Sequence, residues 1–274
     1  SASEKVATDG VIPLIHSLQR DPNARQVFVS GSPKQMRSVL LQKFALDGVE
    51  VDRIILKDSL KALRKGRFGD IKSQFGHKLP SLLEDRIAHQ GTEEAKQEYL
   101  FGDDVEQDAL IYLTYQLIVH GKMQWRELKS LAKSAGVYSE TLDRLQKAIT
   151  QIEIQNQVVQ RIFIRLTKHH QPQWMSDLRP HITPIHTWSQ AACILFIDGL
   201  LGWEDVLRVV EDEGISPTQL GNLVQDLQVR GLINGADAKH LFKILNSAHQ
   251  VLPLPLAQSN LSVTTIQQAY RSIG

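Results

Sequence analysis

Apolar positions in the first 167 residues fall into short dense runs, not long periodic stripes. "RQVFVS" (Arg25 to Ser30), "DRIILK" (Asp52 to Lys57), "EYLF" (Glu98 to Phe101) and "QRIFIRL" (Gln160 to Leu166) are rich in β-branched or aromatic residues. None alternates cleanly, the pattern of strands covered on both faces. Between the first two, Met36, Leu40 and Phe44 recur at helical spacing. Ser32 is placed to cap that helix, Pro33 to open its first turn and Asp47-Gly48 to end it. Strand, capped helix, strand is the βαβ signature, so the pattern predicts an α/β region with a parallel sheet.

From about Leu110 the pattern turns helical, with "RIFIRL" as its one strand interruption. "WSQAACILFIDGLLGWEDVLRVV" and "SPTQLGNLVQDLQVRGLI" carry helix-period apolar spacing with glycine breaks. "QVLPLPLAQ" reads as an extended connector. The expected division is an α/β core over 1–167, with a helical insertion from about 110 to 157, followed by a mainly helical region over 168–274.

Composition narrows the partners. The 274-residue chain has a formal net charge of +1, so no global field points to nucleic acid or an anionic membrane. Cys193 is the single cysteine, which excludes an intrachain disulfide and fits a reducing, cytoplasmic setting. No apolar run reaches the roughly 18 residues of a membrane span, which leaves peripheral contact as the only membrane role expected. "SASEKVATDG" lacks the apolar core of a signal peptide.

Three stretches carry chemistry. "VFVSGSP" ends a strand in hydroxyls and a helix start, so Ser30, Gly31 and Ser32 form a candidate anion site at the carboxyl edge of the sheet. The plainer reading makes Ser32 a cap and Ser30 a turn residue. In "FGHKLPSLL", Lys78 directly precedes an apolar helix with Pro80 in its first turn, and can aim an ammonium at the same edge. A solvated surface lysine is the plainer reading there. The segment before it carries Lys61, Arg64, Lys65, Arg67 and Lys72, a basic loop suited to an anionic substrate. Finally, "EYLFGDDVEQDALIY" puts Asp103 in the loop after a strand and Asp108 in the first turn of the next helix, with Asp104 beside them. Clustered carboxylates are hard oxygen donors suited to Mg²⁺. Helix capping explains one or two of them, not three.

In this order the stretches resemble the haloacid dehalogenase superfamily of phosphohydrolases. More narrowly, "FVSGSPKQMRSVL", "GHKLPSLLE" and "LFGDDVEQDALIY" are similar to the catalytic domain of actin-patch phosphatidate phosphatases and their bacterial relatives. The likeness covers about Val11 to Leu166. It implies a Rossmann-like, haloacid dehalogenase-like parallel sheet and hydrolysis of a phosphate monoester through an aspartyl-phosphate. The substrate would be a phosphorylated small molecule or a lipid phosphate. It implies that Ser30 binds the phosphoryl group, Lys78 stabilises its charge, Asp103 binds Mg²⁺ and Asp108 supports it, with Asp104 sharing either task.

One departure stands out. Members of that family carry a first motif, Asp-x-Asp-x-Thr after a strand, upstream of the segment resembling "EKVATDGVIPLIHSL". The nucleophile comes from that motif, and it is not in this chain. "ILFIDGLLG" is no substitute, because Phe196 and Leu200 stand at the nucleophile and threonine positions and the run reads as helix. The family strand lies centrally, between the strands ending at Ser30 and Phe101. The expected sheet therefore lacks its central first strand, and the natural protein or its relatives are expected to have it upstream.

Two other functions compete. A non-catalytic relative would keep the fold without the chemistry, but has no physical reason to keep Ser30, Lys78 and Asp103 together. A helix-turn-helix reading of "ISPTQLGNLVQDLQVRGLI" ranks last, since Arg230 is its only cation and phosphate-backbone binding needs more.

Overall fold

The computed structural model describes residues 7–58, 74–91, 97–105, 107–167, 178 and 181–249. The basic loop with Lys61, Arg64, Lys65, Arg67 and Lys72, and the connector "QVLPLPLAQ", lie outside these described residues. The chain divides into two compact units, one of 1–7 and 18–186, the other of 8–17 and 187–274.

In the first unit the strands are β1 (Val27–Pro33), β2 (Arg53–Lys57), β3 (Glu98–Asp103), β4 (Val159–Arg165) and β5 (Thr183–Ile185). All pairings are parallel, as the βαβ pattern requires, but the strands form two sheets, β1-β2 and β3-β4-β5. β5 was not legible in the sequence: its three residues, Thr183-Pro184-Ile185, are too few to make a pattern and include a proline. It sits at a sheet edge, where a proline is tolerated.

After a short 3-10 turn, α2 (Arg37–Leu46) joins β1 to β2 and stops at Asp47-Gly48, with Gly48 at φ 67°. The expected Ser32 cap is not formed. β1 continues through Pro33, whose ψ of 147° is extended, and the α-helix begins only at Arg37. Ser32 instead donates its amide to Ser30 Oγ at 3.1 Å, a local turn that competes with helix capping.

Two helices then position the candidate site. α3 (Phe75–His89) precedes β3, and α4 (Asp108–Val119) follows it. α3 starts earlier than the sequence suggested, so Lys78 lies in its first turn and Pro80 inside the helix. Phe75, Leu79 and Leu83 form an i, i+4, i+8 stripe that is fully buried. That stripe joins Ile111, Tyr115 and Ile118 of α4 and Ile162 and Ile164 of β4 in one core. α5 (Trp125–Ser134) and α6 (Ser139–Gln151) add Leu128, Ala132, Leu145 and Ala148.

The second unit is helical. It holds most of α1 (Val11–Leu18) with α7 (Trp188–Ile197), α8 (Trp203–Asp212), α9 (Pro217–Val229) and α10 (Gly235–His249). The Glu213 carboxylate accepts the Trp188 and Ser189 amides at 2.9 and 2.7 Å, closing the N-terminus of α7. "ILFIDGLLG" is helix up to Ile197, with Asp198 as its C-cap and Gly199 at φ 81°, as the rejection of a strand motif there required. Cys193 is buried in α7, and burial pushes its thiol up to about 12.

Candidate functional site

The carboxyl end of β1 meets the first turn of α3 directly, and that of β3 is linked to it through Asp108 of α4. Adjacent residues of that turn point roughly 100° apart, so one can serve each strand. His77 Nε2 lies 3.1 Å from the Ser30 carbonyl at the end of β1. Lys78 Nζ lies 2.5 Å from Asp108 Oδ1 at the start of α4. The other oxygen of Asp108 accepts the Asp103 amide at 3.4 Å, at the end of β3. Ser30, Lys78, Asp103 and Asp108 are therefore joined through one helical turn.

Lys78 and Asp108 are each 5% exposed, which rules out the plain reading of Lys78 as a solvated surface lysine. A buried ammonium persists only with a partner. Asp108 reaches it because β3 carries Gly102, where an added Cβ would sit 2.6 Å from Asp108 Cβ and 2.9 Å from Tyr112. The Tyr112 hydroxyl donates to the Phe101 carbonyl at 2.9 Å and fixes the strand end against α4.

At the end of β1, Ser30 Oγ accepts the Ser32 amide, so the hydroxyl proton remains to donate to an anion. Gly31 lets the Gln74 side chain approach, since a Cβ there would lie 2.3 Å from Gln74 Nε2. His77 is held neutral: burial pushes it down to about 4, against the raising effect of its bond to Ser30. In that neutral form Nε2–H donates to the Ser30 carbonyl. His77 stood in the quoted "FGHKL" and had no role assigned; its adjacency to Lys78 was the only available signal.

The three aspartates part ways. β3 runs two residues further than expected, so Asp103 ends the strand and is not in the loop, and its Oδ1 accepts the Val105 amide at 3.0 Å. Asp104 turns to the far side of β3, where its Oδ1 accepts the Thr167 amide at 2.8 Å beyond β4. Among the described residues no three carboxylate, histidine or cysteine side chains form a metal cage. Mg²⁺ keeps several waters and takes one or two protein carboxylates plus phosphate oxygens. Asp103, with Asp108 behind it, fits that smaller donor set, and Asp104 stands apart from it.

Arg230, the one cation of the helix-turn-helix reading, is ion-paired with Asp226 at 2.6 Å. No helix among the described residues is long and apolar enough to cross a membrane. Comparisons of the chain with protein-family models, with curated proteins and with solved structures found no match.

Proposed function

We propose that the carboxyl ends of β1 and β3 are the phosphate- and Mg²⁺-binding side of a phosphate-monoester hydrolase site of the phosphatidate phosphatase type. The observation that carries this reading is the buried Lys78–Asp108 pair, set on the same helical turn that holds Ser30. Burying a lysine is unfavourable, and its ammonium here stands where strand ends and a helix start favour an anion. Ser30 donates its hydroxyl proton to a phosphoryl oxygen, and Lys78 balances the phosphate charge while staying paired to Asp108. Asp103, with Asp108 behind it, would hold Mg²⁺, which when bound would neutralise phosphate charge. Aspartyl-phosphate chemistry needs a further aspartate as nucleophile, and none of these residues takes that role. On this reading Ser30, Lys78 and Asp103 supply phosphate and Mg²⁺ binding, and hydrolysis needs an Asp-x-Asp-x-Thr strand beside them.

The test is a pair of assays on phosphatidate vesicles and p-nitrophenyl phosphate with Mg²⁺. The chain as given should show no turnover, and a version extended upstream with that motif should hydrolyse one or both. Loss of that activity in Lys78→Met with the fold intact supports the assignment. An extended version that is folded yet inactive on both substrates overturns it.

A further inference from the structure

α5 and α6 form a helical hairpin on the flank of the first unit. α5 starts beside the chain entering β4, where the Gln155 amide donates to the Val119 carbonyl at 3.0 Å. α6 returns to that end, its Gln151 carbonyl accepting from the Gln90 side chain at 2.9 Å, just past α3. Leu128 and Ala132 of α5 are buried in the core and fix which side of the helix faces out. On the outer side Arg126, Lys129 and Lys133 are all exposed, with exposed Lys122 just ahead of the first turn. Spaced three and four residues apart, the three helical cations lie within about 60° of one another around the axis. None of the four is ion-paired among the described residues. Glu127, the acidic residue of α5, is turned back to accept the Gln124 amide at 2.9 Å. The charge is local: residues 121–151 hold six Lys or Arg against three Asp or Glu, in a chain of net charge +1.

We propose that this outer face of α5 docks on an anionic lipid surface. The apolar face of α5 is already in the core, so the row offers charge on a convex ridge, without a groove. Nucleic-acid recognition sets an element into a groove or stacks bases on aromatic rings. The half-buried Trp125 ring lies under Lys129, whose ammonium is 5.9 Å from its centroid. That is a lysine laid along apolar surface with its charge in solvent. A flat array of anionic headgroups needs neither groove nor free ring, and each Lys or Arg held near it strengthens binding about fivefold. Tyr138, 42% exposed just beyond α5, adds an amphipathic ring suited to the headgroup level. Such binding is peripheral and weakens with salt. The inference concerns headgroup charge and stands apart from the phosphate reading, since no residue of the row belongs to the site at Ser30 and Lys78.

The test is flotation of the full chain with phosphatidylcholine vesicles, with and without about 30% phosphatidylserine. Phosphatidylserine is a phosphodiester and offers no phosphate monoester to the strand-end site. The chain should float with the anionic vesicles and not with the neutral ones, and raising salt from about 0.05 to 0.3 M should release it. Arg126→Glu, Lys129→Glu and Lys133→Glu together should weaken binding at least about a hundredfold. Gln at the same three positions should weaken it in the same direction, and circular dichroism checks that both variants are folded. Lys239→Glu, at an exposed cation of α10, should change little. No binding to the anionic vesicles, equal binding to neutral ones, or an unchanged triple variant overturns the proposal. Tighter binding to an RNA or DNA duplex, lost in the triple variant, assigns the row to nucleic acid and overturns the proposed occupant. No arm measures phosphate release, so failure here leaves the phosphate reading standing, and the reverse.

Discussion

The two sheets of the first unit are built from similar sequences and reach opposite packing states. In β4, Ile162, Phe163 and Ile164 are at most 1% exposed, and the helices around them supply a continuous core. In β1, no residue of Val27–Pro33 is buried, and α2 buries none of its ten residues despite Val39, Leu40 and Phe44. Apolar composition is therefore not what separates them. Among the described residues β4 has a strand on each side and β1 on one side. The number of strand partners does not set burial by itself, since β2 and β5 each pair with one strand and each bury three residues. The β1–α2–β2 half is tied at its ends by Arg25 and Arg53 on Asp85 and by His77 on Ser30.

Matched truncations test that contrast most sharply. Phe163→Ala should cost about 3–5 kcal/mol, since a fully buried ring leaves a cavity in a rigid core. Phe28→Ala should cost about 1 kcal/mol, because the half-buried ring loses little beyond its contact with Phe44, 4.5 Å between centroids. Urea unfolding of both variants measures the difference, and equal losses would break the comparison.

The same contrast marks what the sequence could reveal. β1 to β4 were legible because dense β-branched runs have few other uses. Lys78 stood out by its place before an apolar helix, and the aspartates by theirs after a strand. The extra residues of β1 and β3 were not, because Gly31 and Gly102 resemble turn signals when seen alone. In the fold each is a strand residue that admits a close neighbour, Gln74 and Asp108 respectively. The separate directions of Asp103 and Asp104 also lay beyond reading, since they depend on Thr167, far along the chain. Nor could the pattern locate the half-buried state of β1.

The buried pair joining α3 to α4 comes next. Lys78→Met leaves the Asp108 carboxylate buried without its ammonium partner, and should cost about 3 kcal/mol. Lys78→Met combined with Asp108→Leu should recover at least about half of that loss, because no buried charge remains. A double-mutant cycle by thermal unfolding reads the coupling. Additive losses would mean that the pair does not bind α3 to α4.

The tie to β1 has a pH signature. His77 is neutral in the fold, with a value of about 4 against 6.5 for an ordinary histidine. The unfolded chain takes up a proton first as pH falls. Stability from this group is therefore whole above pH 6.5, declines between 6.5 and 4, and is level below 4. The total decline is about 3 kcal/mol. His77→Gln keeps a side-chain N–H for the Ser30 carbonyl but cannot titrate. Subtracting its unfolding free energy from that of the parent, pH by pH, cancels the other groups. A difference that stays flat from pH 7 to 4 would remove His77 from the buried contacts between α3 and β1.

The smallest effect belongs to the open half. Leu46 is 69% exposed at the end of α2, whose apolar residues have no core to enter. Leu46→Ser should change stability by no more than about 0.5 kcal/mol, as for other exposed positions. The same change on the closed side, at Leu145 with 0% exposure, is expected to cost several times more. A large loss at Leu46, read by the same unfolding measurement, would mean that α2 packs against something in solution. The asymmetry between the two halves would then lie in what covers them.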